Sequence, residues 1–487
     1  MFGTINAAVL GTGRIAEKMA ETMKSARRVK LYAVGSRNLD RAVAFAKKNG
    51  FRRAYGSYED LLTDRKVDLV YVATPHSEHY RNALAALEAG KNVLVEKPIC
   101  VTEKQAKKLV ETAEAKNLFL GEAMWTRFLP FGEKIREVLG SGVIGDLVSL
   151  TADVGWNIRS VPRMTDPELA GGTLLDTGIY ALNFASMFFG EDIYKIHSVC
   201  SYTDKHLDEQ DSITLIYRDG RVAALSASMV GCSACQGILT GTKGYAVVDN
   251  IVNFRSLTVY DANGKKLAAY KRPRQKTGFE YELAAAVSAI REGRTECREM
   301  PHRQSLSEMH MMDFIRSQMG IVYPFEIREK QEEQRRQAEE DRKAALALEE
   351  KAKEALATKE EEEERGQIAS DIQAQEAIEG HVSIGDETDY TFGTAESVAV
   401  DTGEEVHLPS EDTLVHAAGE AMKEDARLKA QEKAGNLPAP SEPEPADAGD
   451  VTSYIDIPLH TGNSAGAETP ADYGTPESAP NAEDSRQ

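Results

Sequence analysis

The sequence has few cysteines for its length. Five are scattered through 487 residues, and an odd, dispersed set indicates reduced thiols rather than a disulfide framework. Cys232 and Cys235 form a CxxC pair, but no second pair or nearby histidine completes a zinc site. We interpret both as strand residues and expect no metal site.

Long apolar runs are also missing. No segment is long enough to cross a bilayer, and the N-terminus lacks the basic region, apolar stretch and cleavage site of a secretory leader. We therefore expect a cytoplasmic protein that does not interact with a membrane.

The net charge of −20 is unevenly distributed. Residues 1–328 carry 44 Lys and Arg against 38 Asp and Glu, a net charge of +6, whereas residues 329–487 carry 14 against 40, a net charge of −26. The first part is typical of a mildly basic globular protein that binds a small anionic cofactor. The acidic remainder would repel nucleic acid, so no nucleic-acid partner is expected.

Sequence patterns predict a nucleotide-binding domain at the start of the chain. Residues 1–122 alternate short β-branched runs with helical ones, which is typical of the doubly wound parallel sheet of a Rossmann domain. The strands are predicted over residues 5–10, 30–36, 69–73, 92–95 and 119–121.

The patterns change after this domain. Residues 123–328 contain alternating apolar runs joined by Asp219-Gly220 and Asn263-Gly264, which predict an α+β domain with a large, mostly antiparallel sheet. Residues 329–366 suit a charged, solvated helix, and residues 367–487 have the composition of an acidic disordered tail.

A glycine motif follows the first strand directly. Gly11 and Gly13 allow a tight turn and a close approach to a pyrophosphate, and Ala16 takes the small position where helix and sheet pack. Arg14 and Ile15 complete the turn, so the helix N-terminus would face the phosphates. A tight strand-to-helix turn without a cofactor is the alternative.

The end of the second strand lacks the carboxylate that an NAD site places there. The chain instead has Ser36 and Arg37, with Arg41 one turn further on, so the 2′-phosphate of NADP would meet a small residue and guanidinium groups. The alternative is that both arginines are solvated surface charges. The sequence favours NADP.

Two segments contain side chains suited to proton transfer. Lys97, within Glu96-Lys97-Pro98, ends a parallel strand, where ligands bind in open α/β sheets. Asp176 and Tyr180 lie one helical turn apart if a helix begins near Asp176. From spacing alone, a helix cap and a core aromatic explain the second pair equally well, and a surface salt bridge would explain Lys97.

Four motifs occur in order along the chain. They are Gly11-x-Gly13-Arg14-Ile15-Ala16, Glu96-Lys97-Pro98, Glu122-Ala123-Met124-Trp125-Thr126-Arg127-Phe128 and Gly172-x-Leu174-Leu175-Asp176-x-Gly178-Ile179-Tyr180. With these motifs, about residues 1–328 resemble the glucose-fructose oxidoreductase and inositol dehydrogenase superfamily, and within it the dimeric dihydrodiol dehydrogenases, which also oxidise D-xylose with NADP.

The resemblance implies roles for particular residues. Lys97 and Tyr180 would be the proton-transfer pair, with Asp176 orienting the substrate or Lys97. Further positions fall beside the cofactor, and others form the substrate pocket. The cofactor neighbours would be Thr74, Pro75, His76, His79 and Glu96, and the pocket residues Trp125, Arg127 and Phe279. The open face of the second sheet would form a homodimer interface.

We therefore expect an NADP-dependent oxidoreductase that transfers a hydride from a secondary alcohol. Its substrate would be an aldose such as D-xylose or a trans-dihydrodiol. Two alternatives remain: a reductase of a keto-sugar or dicarbonyl, since the same residues serve both directions, and a non-catalytic NADP-binding scaffold that engages a partner through its acidic tail.

Overall fold

A computed structural model of the chain describes residues 3–379. Its first sheet has six parallel strands in the order β3-β2-β1-β4-β5-β6. The order reverses between β1 and β4, which is the point where doubly wound sheets bind nucleotides. The strands are β1 (Ile5–Leu10), β2 (Val29–Gly35), β3 (Arg53–Tyr55), β4 (Leu69–Val72), β5 (Asn92–Glu96) and β6 (Leu120–Ala123). The predicted Rossmann sheet is confirmed.

Helices connect these strands, and the way they begin differs. The side chains of Asn38, Ser57 and Thr102 cap three of them by accepting a backbone N–H. The helices that follow β1 and β4 begin without a side-chain cap, so their N-terminal N–H groups stay available to a ligand. The helices are α1 (Arg14–Ser25), α2 (Leu39–Asn49), α3 (Tyr58–Thr63), α4 (His76–Glu88) and α5 (Glu103–Lys116).

The second sheet has eight strands in the order β14-β13-β12-β11-β7-β10-β9-β8. Only β10 and β7 pair in parallel, so the predicted mostly antiparallel sheet is confirmed. The strands are β7 (Leu147–Gly155), β8 (Ile193–Tyr202), β9 (Asp208–Tyr217), β10 (Val222–Ser228), β11 (Gly237–Gly241), β12 (Gly244–Asp249), β13 (Ser256–Asp261) and β14 (Lys266–Lys271).

Helices cover one face of this sheet. Along β10, Ala223, Leu225 and Ala227 are buried, while the residues between them face the other side. One apolar helix, α7, contacts β7 and β10 and is buried along almost its whole length. The helices of this part are α6 (Pro130–Gly140), α7 (Ile179–Phe189), α8 (Glu280–Glu292) and α9 (His302–Gln318).

The loop between β10 and β11 corrects one sequence interpretation. Cys232 and Cys235 lie in this loop and not in a strand. The Ser228 hydroxyl accepts the N–H groups of Val230 and Gly231, which turns the chain out of β10. Within residues 3–379, no group of three or more His, Cys, Asp and Glu side chains could hold a metal ion.

A long helix, α10 (Pro324–Glu379), follows the two sheets. Arg316, on α9, is buried and binds Glu326 in the first turn of α10 at 2.8 Å. Residues 330–377 of the helix are exposed. No helix of the described residues is long and apolar enough to cross a membrane. The predicted acidic tail from residue 380 onward lies outside the described residues.

Candidate active site

The glycine motif lies at the switch point of the first sheet. Gly11 has φ +107°, and a Cβ there would lie 2.6 Å from the carbonyl oxygen of Ala73, so packing against the end of β4 requires glycine. Gly13 has an extended backbone, and a Cβ there would meet nothing within 4 Å. Arg14 is exposed and Ile15 partly buried in the first turn of α1. The open space and free N–H groups fit a pyrophosphate.

The end of β2 presents positive charge. Ser36 is buried, and its hydroxyl accepts the N–H of Asn38 at 3.4 Å. Arg37 and Arg41 are exposed, and neither guanidinium has a hydrogen bond or ion pair with residues 3–379. Burial raises the pKa of Tyr58, whereas the charges of Arg37 and Arg41 both lower it. Both guanidinium groups therefore lie near the Tyr58 side chain.

The loop after β4 lies against the glycine motif. The backbone N of Thr74 would be 3.6 Å from a Cβ on Gly11. Thr74 and Pro75 are partly buried, and Asn82 donates its side-chain amide to the Thr74 hydroxyl at 3.2 Å. The predicted cofactor neighbours Thr74 and Pro75 therefore adjoin the switch point.

Lys97 and Asp176 form a buried ion pair between the two parts of the chain. The Lys97 ammonium lies 2.6 Å from the backbone oxygen of Asp176 and 3.3 Å from its Oδ1. Their side chains are 11% and 9% exposed. The end of β5 is thus joined to the segment that precedes α7.

Asp176 lies in a π-helical turn over Leu174–Gly178, and the α-helix begins only at Ile179. The sequence predicted an α-helix from Asp176 onward. The buried carboxylate of Asp208 accepts the N–H of Leu174 and fixes the start of this turn. Such π turns are frequent at functional sites, where the extra residue redirects side chains.

Tyr180 lies among aromatic side chains beside Lys97. The Lys97 Nζ is 5.0 Å from the centre of the Tyr180 ring, and the Trp125 indole donates to the Tyr180 hydroxyl at 3.3 Å. Trp125 stacks on Phe279 with ring centres 4.6 Å apart. Trp156 meets Tyr180 edge to face at 6.0 Å. The structure therefore brings together Lys97, Asp176, Tyr180, Trp125 and Phe279.

Lys97, Asp176 and Tyr180 shift one another's pKa values. Burial disfavours an ionised Asp176, but Lys97 and Arg163 outweigh it and hold the pKa of Asp176 well below its usual range. Burial would likewise lower the pKa of Lys97, yet the neighbouring Tyr180 and Asp176 raise it. Burial raises the pKa of Tyr180, and Lys97 partly offsets that effect.

The two predicted histidines differ in their surroundings. His76 Nε2 lies 3.7 Å from Asp176 Oδ1, within the group. His79 is directed at backbone instead, with Nδ1 2.7 Å from the Pro98 oxygen and Nε2 2.9 Å from the Thr74 oxygen. Burial lowers the pKa of His79 to about 4. Through its two ring nitrogens, His79 connects the backbone that follows β4 to the backbone that follows β5.

Glu96 lies at the end of β5 and is buried. Its carboxyl accepts hydrogen bonds from the Tyr71 hydroxyl and from the backbone N–H of Lys97. Burial raises the pKa of Glu96 to about 7. Its place beside the cofactor stays a prediction.

Arg127 is also directed into the interior. Its guanidinium donates to Asn183 at 2.6 Å, to Glu308 at 3.0 Å and to the Ser186 hydroxyl. The side chain is 8% exposed. Because its donors are occupied by these buried partners, the prediction that Arg127 lines the substrate pocket does not fit its position.

Sequence reasoning missed Arg163 and Trp156. The Arg163 guanidinium binds Asp176 Oδ2 at 3.1 Å, opposite the oxygen that Lys97 contacts, and its side chain is 40% exposed. Both residues lie between β7 and the π turn, outside the motifs singled out above. A cation spaced thirteen residues before a carboxylate carries no local signal.

Two family models match the chain. The model described as "Oxidoreductase family, NAD-binding Rossmann fold" matches residues 5–123. The model described as "GFO/IDH/MocA C-terminal domain" matches residues 133–247. A trans-1,2-dihydrobenzene-1,2-diol dehydrogenase from Xenopus tropicalis is 34% identical over 300 residues, which are 60% of this chain and 90% of the relative. The chain belongs to the GFO/IDH/MocA oxidoreductase family.

A second relative and two solved structures extend the comparison. The human trans-1,2-dihydrobenzene-1,2-diol dehydrogenase is 33% identical over 298 residues, which are 60% of this chain and 89% of the relative. A 3-ketoreductase from Actinomadura kijaniata, solved with NADP, is 25% identical with a TM-score of 0.61 and covers 65% of this chain and 98% of its own. An aldose-aldose oxidoreductase from Caulobacter crescentus, 22% identical with a TM-score of 0.59 over 65% of this chain and 97% of its own, shows the same fold.

The comparisons confirm the predicted superfamily and the similarity to dihydrodiol dehydrogenases. The chain is an oxidoreductase with a nicotinamide-nucleotide-binding Rossmann domain. The open space at Gly13 and the uncapped N-terminus of α1 fit that cofactor.

The two glycines of the motif are expected to differ when replaced. Gly11→Ala forces a side chain into the Ala73 carbonyl and a backbone conformation that alanine disfavours, so the free energy of unfolding should fall by about 2 kcal/mol or more. Gly13→Ala meets no neighbour and should change it by less than about 1 kcal/mol. The added methyl of Gly13→Ala should nevertheless weaken NADP and NAD binding about tenfold or more.

Urea denaturation and fluorescence titration of the three proteins measure both effects. Equal destabilisation by the two substitutions would contradict the packing role of Gly11. Unchanged cofactor affinity in Gly13→Ala would contradict the pyrophosphate position.

Proposed function

We propose that the chain is an NADP-dependent dehydrogenase that oxidises a secondary alcohol, either the anomeric hydroxyl of an aldose such as D-xylose or a hydroxyl of a trans-dihydrodiol. The observation that carries the proposal is the buried contact of Lys97 with Asp176 and Tyr180. Residues 1–122 would bind the cofactor and residues 123–328 the substrate. A panel of aldoses and diols, followed by NADPH absorbance, tests it.

The positive end of β2 supports NADP over NAD. Arg37 and Arg41 are exposed and free to contact a 2′-phosphate, and Ser36 leaves room beside them. The Actinomadura kijaniata 3-ketoreductase was solved with NADP. When bound, NADP would supply the carbon that accepts a hydride from the alcohol.

Tyr180 would move the proton. The Lys97 ammonium lies 5.0 Å from the centre of the Tyr180 ring and would stabilise a phenolate and a developing alkoxide by charge. Asp176 holds Lys97 through its backbone oxygen and its carboxylate, so the ammonium cannot turn away. In oxidation, the Tyr180 phenolate accepts the proton of the substrate hydroxyl. Trp125 and Phe279 would form an apolar wall that holds the substrate and limits water.

The reverse reaction is the second candidate. Burial raises the pKa of Tyr180 above its ordinary value, so the phenol is protonated at neutral pH and ready to donate to a carbonyl. This state favours reduction of a keto-sugar or dicarbonyl near pH 7 and oxidation at higher pH. The scaffold alternative is disfavoured because Lys97, Asp176 and Tyr180 are assembled in one buried group.

Replacing Arg37 should distinguish the two cofactors. Arg37→Ala removes a charge-assisted contact to the 2′-phosphate, so NADP affinity should fall about tenfold or more while NAD affinity stays nearly unchanged. Fluorescence titration with both cofactors measures the difference. Equal losses for NADP and NAD would show that Arg37 does not contact the phosphate.

Tyr180→Phe keeps the ring and removes the proton that is transferred. Turnover should fall about a hundredfold or more while NADP affinity holds. Lys97→Met removes the cation that lowers the pKa of Tyr180, so the rise of oxidation rate with pH should move to higher pH. Because the two groups act together, the double variant should be little worse than either single variant.

Stopped-flow rates and pH profiles of the native chain and the three variants provide the measurement. Near-native turnover in Tyr180→Phe would remove Tyr180 from the mechanism. A profile of Lys97→Met that moved to lower pH would contradict the electrostatic role of Lys97.

We also propose that the protein forms a homodimer through the open face of the second sheet. This face is exposed yet has many small and apolar side chains, among them Val199 at 68% exposure and Val222 at 36%. Ala224, at the centre of the face, pairs with Thr151 and Thr214 on the neighbouring strands. Such a flat surface suits a two-fold interface.

Ala224→Arg places a charge in this proposed interface and should shift the mass in solution from dimer to monomer. Ala115→Arg, the same change at an exposed position of α5, should leave the mass unchanged. Analytical ultracentrifugation compares them. A dimer in both variants would exclude this face as the interface.

A further inference from the structure

Two hydrogen-bond acceptors face each other beside Lys97. His76 Nδ1 lies 3.2 Å from the carbonyl oxygen of Ala170. A carbonyl only accepts, so Nδ1 carries the proton and Nε2 carries the lone pair. Nε2 is directed at Asp176 Oδ1, 3.7 Å away. Neither atom has a hydrogen to give the other.

The imidazole stays neutral in this position. Burial lowers the pKa of His76 to about 3; Asp176 opposes this effect, while Lys97, His79 and Arg163 add to it. His76 is also the first residue of α4, where the helix dipole disfavours a cation. Its Nε2 is therefore a fixed acceptor at neutral pH and cannot pair with Asp176 as an imidazolium.

This acceptor has no partner within residues 3–379. The facing oxygen of Asp176 already accepts from Lys97 at 3.3 Å. Nε2 is not fully shielded from solvent, so a ligand that brings an O–H or N–H can take the place of water at this acceptor. The His76 side chain is 9% exposed, which leaves it accessible from the cleft.

We propose that His76 Nε2 recognises a second hydroxyl of the substrate, on the carbon next to the one that is oxidised. The inference rests on the proposed function and makes His76 a specificity-determining residue for its substrates. His76 and Lys97 both face Oδ1 of Asp176, at 3.7 Å and 3.3 Å, and Lys97 also lies 5.0 Å from the Tyr180 ring centre. The reacting hydroxyl would therefore meet Tyr180 while its neighbour donates to His76. The neighbouring hydroxyl can in turn accept from Arg163, as a bridging O–H does.

The tautomer is testable without any substrate. The native chain labelled with nitrogen-15 histidine, compared with His76→Gln to assign the signals, should show a neutral Nδ1–H imidazole for His76 from pH 5 to pH 8. An imidazolium at pH 6, or an Nε2–H tautomer, would overturn the proposal because Nε2 would then be a donor.

Matched ligands test the recognition. The probes are D-xylose with 2-deoxy-D-xylose, and trans-cyclohexane-1,2-diol with cyclohexanol. In the native chain, kcat/KM should favour the dihydroxy member of each pair about tenfold or more. His76→Leu should lower kcat/KM for that member to a similar extent and change the other by less than about threefold, while His76→Gln, whose amide oxygen accepts, should restore part of the preference.

Two controls separate this role from others. Lys97→Met should reduce turnover of both members of a pair alike, because it acts on proton transfer. The NADP affinity of His76→Leu should remain native. An equal loss for both members, or a large loss of NADP affinity, would overturn the proposal in favour of a cofactor contact.

Binding is measured separately from turnover. With NADP present, the dihydroxy probe should raise the Tm of the native chain more than its counterpart does, and His76→Leu should abolish the difference. If the chain oxidises its substrates but neither kcat/KM nor Tm favours the dihydroxy member of a pair, this inference is overturned and the proposed function stays intact. Preference in Tm without NADPH formation would overturn the proposed dehydrogenase and retain the subsite. Equal Tm shifts, or none, would overturn the subsite.

Discussion

The buried contact between Lys97 and Asp176 is the constraint on which the site depends. Removing two charges from water is costly, and a buried pair is stable only when the geometry is close and further partners satisfy both ions. Lys97 contacts both the backbone and the carboxylate of Asp176, and Arg163 binds the second carboxylate oxygen. The end of β5 is thereby held against the segment before α7.

Within the π turn, Asp176 presents its backbone oxygen and its Oδ1 to Lys97. Gly172, with φ +109°, leads into the turn, and a Cβ there would lie 2.2 Å from the Asp208 carboxylate. That carboxylate in turn holds Leu174. The irregular backbone is therefore fixed by a buried acid and a glycine, away from the reacting groups.

Sequence predicted the parts of the fold that leave a strong pattern. The strand Ile5–Leu10 was predicted with its observed bounds because a strand buried on both faces is a continuous apolar run. β3 was missed because Arg53–Tyr55 is only three partly exposed residues.

The contact of Lys97 with Tyr180 agrees with their predicted pairing, but charge and motif did not reveal that Arg127 and Glu96 face inward. Arg163 and Trp156 reach the site from a loop, where only tertiary structure shows the contact.

The charges at the site follow from the same burial. Lys97 and Arg163 are cationic and Asp176 is ionised, while burial raises the pKa of Glu96 to about 7 and also raises the pKa of Glu282. Glu96 is then only about half ionised at neutral pH, so Asp176 and Glu96 together do not cancel the two cations. In the proposed reaction, a phenolate on Tyr180 and an alkoxide on the substrate would both develop negative charge there. The excess of positive charge would favour either direction of that proton transfer, with the ambient pH setting whether Tyr180 begins as donor or acceptor.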